Sequence, residues 1–149
     1  DDSSVLVPFG FGLSYTVFSY SNGQISAEED GTVCISADIT NIGELNGEEV
    51  VQLYGSDLFA SKIRPIHELI GFRRVFLKKG ETKTVTFRFN IDILSFPDEN
   101  GIWIAEAGKF DFTVGSHSED CRIRLPFTLQ ETRKINPNHR CFFAQTEER

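Results

Sequence analysis

The stretch Thr32-Val33-Cys34-Ile35-Ser36-Ala37-Asp38-Ile39-Thr40 decides the fold, because its apolar residues fall on every second position. A period of two places apolar side chains on one face of a β-strand and polar side chains on the other. The same alternation recurs further along the chain, over residues 84–91, 109–114 and 122–129. These four segments are therefore predicted to be strands with one buried and one solvated face.

Other segments resemble strands without clean alternation. Residues 49–56 are apolar on both sides, which favours a central strand. Residues 71–77 lose their alternation at Arg73-Arg74, which suggests a β-bulge there, and residues 102–104 are a short strand-like run. Pro126 lies on the polar face of its segment, and we expect that strand at a sheet edge, since proline cannot donate a ladder hydrogen bond.

Turn-forming residues separate these segments, as at Asn22-Gly23 and Asn100-Gly101, and no segment has a sustained helical period. We therefore predict an all-β fold, an antiparallel β-sandwich of immunoglobulin-like type with seven or eight strands. The sandwich is predicted over residues 15–130, with an interdomain linker over residues 1–14 and a tail over residues 131–149. We expect the tail to be a mobile terminus, or else a strap docked through Cys141-Phe142-Phe143.

Length and charge narrow the classes of partner. The 149 residues suffice for one domain with a full core. The net charge of −7 argues against nucleic acid, because phosphate binding needs a basic patch, and no apolar run approaches the length that crosses a membrane. The chain lacks methionine and opens with Asp1-Asp2-Ser3-Ser4 rather than a signal peptide, so we expect it to be an excised fragment.

Residues with reactive or metal-binding side chains do not form a recognisable site. Cys34, Cys121 and Cys141 match neither a disulfide framework nor a zinc pattern, and we expect unpaired thiols, with a Cys34–Cys121 or Cys121–Cys141 bridge as alternatives. The run 98–100 could hold calcium but lacks a full ligand set. No triad partner accompanies any of the three histidines, which are His67, His117 and His139. The sequence therefore predicts no catalytic residue, no cofactor and no metal.

The most apolar irregular segment is Pro8-Phe9-Gly10-Phe11-Gly12-Leu13-Ser14-Tyr15-Thr16, which we call the strap. Its large apolar residues are Phe9, Phe11, Leu13 and Tyr15, and the glycines between them leave the backbone free to turn. An exposed cluster of this kind usually marks a docking surface. We therefore expect the strap to lie against a partner.

The strap also resembles the linker that opens the C-terminal fibronectin type III-like domain of glycoside hydrolase family 3 enzymes, the β-glucosidases and β-xylosidases. Further matches follow in family order: Asn41-Ile42-Gly43, Gly47, residues 49–54, Pro65, Glu68-Leu69, Gly71-Phe72, residues 80–85, Trp103, Glu106, Gly108, Phe110 and residues 114–116. The resemblance covers about residues 8–129. His67 and Ile70 stand where the family usually has lysine, and Ala107 stands where proline is common.

The resemblance implies a fibronectin type III-like sandwich without catalysis of its own. In the parent family, a retaining hydrolysis of β-glycosides uses an Asp nucleophile and a Glu acid/base from two preceding domains. It further implies that Phe9, Phe11, Leu13 and Tyr15 dock on those catalytic domains and help hold them in register.

Two alternatives to this interpretation stay open at this point. One is a carbohydrate-binding module that stacks Trp103, Tyr20 and Tyr54 on oligo- or polysaccharides, against which stands packing of Trp103 in the core or between domains. The other is an adhesive or scaffold domain whose strap binds another protein.

Overall fold

A computed structural model describes residues 17–58, 67–139 and 143–149. The described strands are, in chain order, β1 Phe18–Ala27, β2 Thr32–Asn41, β3 Gly47–Asp57, β4 His67–Leu77, β5 Thr82–Asn90, β6 Phe96–Pro97, β7 Trp103–Ala105, β8 Gly108–Gly115, β9 Ile123–Leu129, β10 Arg133–Lys134 and β11 Gln145–Glu148. Helical structure within the described residues is limited to two 3₁₀ turns, Ile91–Leu94 and Pro137–His139. No described helix is long and apolar enough to cross a bilayer.

Two four-stranded antiparallel sheets pack face to face. Sheet A has the order β9-β8-β3-β4 and sheet B has the order β11-β5-β2-β1, while β10, β7 and β6 form a small third sheet. Seven strands of at least seven residues lie in sheets A and B, so the predicted all-β sandwich is confirmed. As predicted, β3 is central between β8 and β4, and β9, which contains Pro126, lies at an edge.

The core follows directly from the alternation in the sequence. Val33, Ile35, Ala37 and Ile39 are at most 1% exposed, and their partners across the ladder in β5 include Phe87 and Phe89, which are also buried. Sheet A contributes aromatic rings from β8 and β9. The Phe89 and Phe112 ring centroids lie 5.3 Å apart, which joins the two sheets at the centre of the core.

The irregularity in β4 lies at a different residue from the one predicted. The ladder between β3 and β4 is regular through Arg73 and Arg74, and it shifts where Leu53 pairs with Gly71 but Tyr54 pairs with Leu69. The extra residue is therefore Ile70. Arg73 pairs with buried Val51 and so occupies a core-side position, where its long side chain reaches past the sheet edge to Thr146 and Glu148.

The C-terminal tail belongs to the fold, so the expectation of a mobile terminus is wrong for its described residues. Strand β11 pairs with β5 from Gln145 to Glu148, and the Ala144 N–H donates to the Ile70 carbonyl of β4 at 2.9 Å. Glu148 accepts from Arg73 of sheet A at 3.0 Å and pairs with Lys83 of sheet B at 3.3 Å. The tail thus closes the edge where β4 and β5 would otherwise part.

The described cysteines are unpaired. Cys34 is half-buried on β2, and Cys121 is exposed before β9; both are free thiols. The predicted alternatives of a Cys34–Cys121 or a Cys121–Cys141 bridge are therefore wrong. Cys141 itself lies outside the described residues.

Candidate functional site

The predicted docking residues Phe9, Phe11, Leu13 and Tyr15 lie outside the described residues. The described chain begins one residue after the strap, at Val17. Its carbonyl accepts a hydrogen bond from the Ile42 N–H at 2.8 Å, so Val17 prolongs the β1–β2 ladder. The strap is therefore joined directly to the end of the sandwich that carries the β2–β3 loop.

A fully buried asparagine organises that loop. The Asn41 Nδ2 donates to the carbonyls of Leu45 at 2.8 Å and Leu77 at 3.0 Å, and its Oδ1 accepts from the Gly43 N–H at 2.9 Å. Asn41 is 0% exposed, and its bond to Leu77 is buried while those to Leu45 and Gly43 are partly buried. The loop is thus fixed by hydrogen bonds that satisfy buried backbone groups, which leaves its other side chains free to face outward.

The outward residues of this loop are apolar. Ile42 is 60% exposed, Leu45 is 46% exposed and the neighbouring Val17 is 47% exposed. We call Val17, Ile42 and Leu45 the apolar end patch. Asn41-Ile42-Gly43 was recognised from the sequence as a match to the family, and the patch was not predicted, although an isoleucine in the middle of an Asn-X-Gly turn was an available signal.

A polar cluster ties the two sheets at the side where β1 meets β9. Tyr20 of β1 donates its phenolic O–H to Glu49 of β3 at 3.0 Å, and the Arg122 guanidinium lies 5.1 Å from the centre of the Tyr20 ring. Arg122 also donates to the Phe18 carbonyl at 2.9 Å and to Asp120 at 2.7 Å. The cluster therefore joins β1, β3 and the loop before β9.

Burial sets the protonation of this cluster. Desolvation is the largest effect on Glu49 and raises the pKa of its carboxyl, although the Tyr20 hydrogen bond and the Arg122 charge oppose it. Burial and the Glu49 charge raise the pKa of Tyr20, so its hydroxyl stays a donor. Burial also acts to raise the pKa of Asp120, but hydrogen bonds from Ser116 and Arg122 outweigh it and lower that pKa. Each carboxylate here has a fixed structural partner.

Two further carboxylates, Asp98 and Asp111, are used in local structure. Asp98 Oδ1 accepts from the N–H groups of Asn100 at 2.8 Å and Ile102 at 2.9 Å, which closes the turn that was considered for calcium. Asp111 pairs with Arg124 at 3.5 Å. Within the described residues, no group of three or more His, Cys, Asp or Glu side chains is placed to hold a metal ion.

Two of the predicted histidines have identified contacts. His67 stacks on Tyr54 with ring centroids 5.1 Å apart, and its Nδ1 lies 2.6 Å from Ser56 Oγ across the β3–β4 ladder. His117 accepts from the Glu119 N–H at 3.2 Å. The side chain of His139 is outside the described set. His67 thus belongs to a cross-strand pair, and His117 belongs to a turn.

The candidate sugar-contacting residue, Trp103, lies in the small third sheet. Its ladder partner is Pro97, its carbonyl accepts from the Ile135 N–H at 2.8 Å, and its side chain is half-buried. The three aromatics considered for sugar stacking lie on three different strands, since Tyr20 is in β1 and Tyr54 is in β3.

A cleft of about 810 Å³ opens between the β1–β2 turn and the segment that follows β9. Glu28, Glu29 and Glu131 line it together with Phe127, Arg133 and Lys134. Arg133 is already used, since it donates to the carbonyls of Glu29 at 3.0 Å and Asp30 at 2.8 Å. Its lining thus mixes both charges with a half-buried aromatic ring and points to no single class of ligand.

Comparison with known proteins agrees with this architecture. Residues 49–118 match the family of the fibronectin type III-like domain. This segment is therefore similar to a fibronectin type III-like domain. This span runs from β3 through β8 to the Ser-rich turn after it, and the described strands on either side complete the sandwich.

The chain is also similar to longer glycosidases. It is 40% identical over 129 residues to β-glucosidase B of Emericella nidulans, which covers 86% of this chain and 15% of that protein. It is 42% identical over 121 residues to a β-xylosidase of Formosa agariphila, covering 79% and 17% respectively. The structure of a Kluyveromyces marxianus β-glucosidase in complex with glucose superposes with a TM-score of 0.76 at 37% identity, covering 86% of this chain and 16% of that one. The fibronectin type III-like domain is therefore homologous to a segment of larger family 3 glycosidases.

Proposed function

We propose that this chain is the non-catalytic, C-terminal fibronectin type III-like domain of a family 3 β-glycosidase and stabilises the catalytic domains of the same polypeptide. One observation carries the proposal: a relative named β-glucosidase B is 40% identical over 86% of this chain, yet the match spans only 15% of that relative. More than four-fifths of such a protein lies outside the homologous segment, and the proposed parent would hydrolyse β-glycosides there with retention.

The contacts of the carboxylates support a role without catalysis. Retaining glycosidases need two carboxyl groups roughly 5–5.5 Å apart, one of them free to act as a nucleophile. Glu49 is bonded to Tyr20, Asp120 to Ser116 and Arg122, and Asp98 to its own turn. Carboxylates held in this way stabilise the fold rather than attack a substrate.

The rigidity of the sandwich gives the proposed role a physical basis. If the parent assembles its active site from two domains, a misplacement of about 1 Å costs roughly a hundredfold in rate. A domain with both open sides closed, by Tyr20–Glu49 on one and Arg73–Glu148 on the other, moves as one body. The strap joins the sandwich to the part of the parent that precedes it, so fixing Phe9, Phe11, Leu13 and Tyr15 in place would transmit that rigidity to the catalytic domains.

Deletion of the domain from the full-length parent tests the proposal. We expect the shortened enzyme to unfold at a lower temperature and to lose activity on an aryl β-glucoside before the intact enzyme does. The isolated chain should not cleave the same substrate. Unchanged thermal stability and unchanged activity after deletion, or hydrolysis by the isolated chain, would contradict the proposal.

A further inference from the structure

An apolar surface and an apolar sequence segment of this chain adjoin at Val17. One is the apolar end patch of Val17, Ile42 and Leu45, and the other is the strap, residues 8–16. We propose that the strap docks on the apolar end patch of its own sandwich. The inference deepens the proposed function and rests on it for its purpose, because a docked strap fixes the sandwich relative to whatever precedes it.

The path of the chain brings the strap to the patch. Only Thr16 separates Tyr15 from Val17, and Val17 is hydrogen-bonded to Ile42 at 2.8 Å. At about 3.3 Å per residue, the nine residues of the strap reach roughly 30 Å, which is more than enough to cross one end of a sandwich about 10 Å thick. Gly10 and Gly12 allow the strap to bend back over that end.

The pattern of the strap matches a surface contact. Phe9, Phe11, Leu13, Tyr15 and Val17 occupy successive odd positions, so an extended strap would place all five side chains on one face. Val17 already belongs to the patch, so this series of apolar residues continues into the patch without a break. The strap carries no charged residue, so docking on an apolar surface desolvates no charge.

The apolar end patch is preorganised for binding the strap, because hydrogen bonds fix the conformation of its loop. The buried Asn41 side chain holds the loop through three hydrogen bonds, and two large aliphatic side chains of that loop, Ile42 and Leu45, are exposed to solvent. Binding to such a preorganised surface costs little conformational entropy on the side of the sandwich. The only nearby ion pair described on this loop, Glu44–Lys79, is exposed and lies beside the patch rather than in it.

Methyl NMR of the 149-residue chain tests the contact. We expect nuclear Overhauser effects from the methyl groups of Ile42 and Leu45 to the selectively labelled aromatic rings of Phe9, Phe11 and Tyr15. The amides of the strap should exchange roughly tenfold more slowly than those of Ser3 and Ser4, because docking protects them. The Ile42→Ser/Leu45→Ser variant should lose that protection, whereas Ile102→Ser, which alters a residue 43% exposed at the other end of the sandwich, should keep it.

A strap variant provides the reciprocal measurement. Replacing Phe9, Phe11, Leu13 and Tyr15 by serine should shift the Ile42 and Leu45 methyl resonances and leave those of Ile102 in place. Unchanged patch resonances would overturn the proposal. Strap–patch contacts that appear only between differently labelled molecules would also overturn it, since a second copy would then cover the patch. Contacts from the patch to the catalytic domains of the full-length parent, in place of contacts to the strap, would overturn it as well. Deletion of the domain from the full-length parent tests the proposed function independently of the contact between strap and patch.

Discussion

Replacement of the buried Asn41 by alanine should lower the free energy of unfolding more than most single substitutions near the end of the sandwich. The side chain makes three hydrogen bonds, to Leu45, Leu77 and Gly43, and is 0% exposed. A hydrogen bond contributes about 0.5–1.5 kcal/mol, and the Leu77 carbonyl would lose its partner at a buried position, so we expect Asn41→Ala to cost roughly 3 kcal/mol. For a chain of this size, that loss lowers the melting temperature by roughly 6–12 °C.

Urea denaturation followed by Trp103 fluorescence measures this cost, with Asn46→Ala as the matched control. Asn46 lies in the same loop but is exposed and accepts one hydrogen bond, from the Lys79 N–H at 2.8 Å. Its replacement should cost less than about 1 kcal/mol. Asn41→Asp should be strongly destabilising at pH 7, because a carboxylate would face two carbonyl oxygens, and less so at low pH, where the protonated acid can donate to one of them. Equal losses for the two alanine variants would refute the reasoning.

Three further predictions concern the tail, its ion pairs and the lone tryptophan. Removing residues 143–149 should cost roughly 3 kcal/mol or more and promote aggregation, because it strips partners from β5 and from the Ile70 carbonyl; urea denaturation and light scattering check this. Burial alone would raise the pKa of Glu148, but hydrogen bonds from Arg73 and Lys83 lower it, so its stabilising effect is present at neutral pH and fades as pH falls through that lowered pKa. The stability gap between the natural chain and Glu148→Gln should therefore narrow on acidification, and a constant gap would contradict the assignment. Titration with cello-oligosaccharides should leave Trp103 fluorescence unchanged at millimolar concentration, since the side chain is half-buried, and a saturable change would favour carbohydrate binding.

The sandwich was predictable because one-sided burial imposes its period directly on the sequence. In β2, each apolar residue that the alternation assigned to the core is at most 1% exposed. The edge position of β9 was predictable for a similar reason, since the constraint on Pro126 is local. Where a residue's neighbours along the chain determine its environment, sequence reasoning sufficed.

Strand β11 could not be predicted in this way. Its residues, Gln145–Glu148, contain no apolar side chain and no alternation. It forms because β5 offers an unpaired edge and because Glu148 meets cations from both sheets, Arg73 and Lys83. These partners lie 75 and 65 residues away, and nothing in the tail itself indicates them.

Arg73 shows how a correct pattern was misinterpreted for the same reason. Its charge at a core-side position looked like a break in alternation, yet the ladder there is regular and the true bulge is at Ile70. A long side chain at the open edge of a sandwich can occupy a core-side position and still carry its charge outward. The apolar end patch was also not predictable from neighbouring residues, since the Asn41–Leu77 hydrogen bond that fixes its loop joins residues 36 positions apart.

Two polar contacts between the sheets, Tyr20–Glu49 and Arg73–Glu148, support the proposed bracing role. A β-sandwich is open along two sides, and apolar packing alone resists sliding of one sheet over the other only weakly, because hydrophobic contacts are non-directional. Tyr20–Glu49 and Arg73–Glu148 cross from one sheet to the other on opposite sides, with donor and acceptor geometries that sliding would break. Placing charged and phenolic groups at these edges fixes the relative position of the sheets. These four side chains thereby make the domain rigid, which is the property that the proposed brace requires.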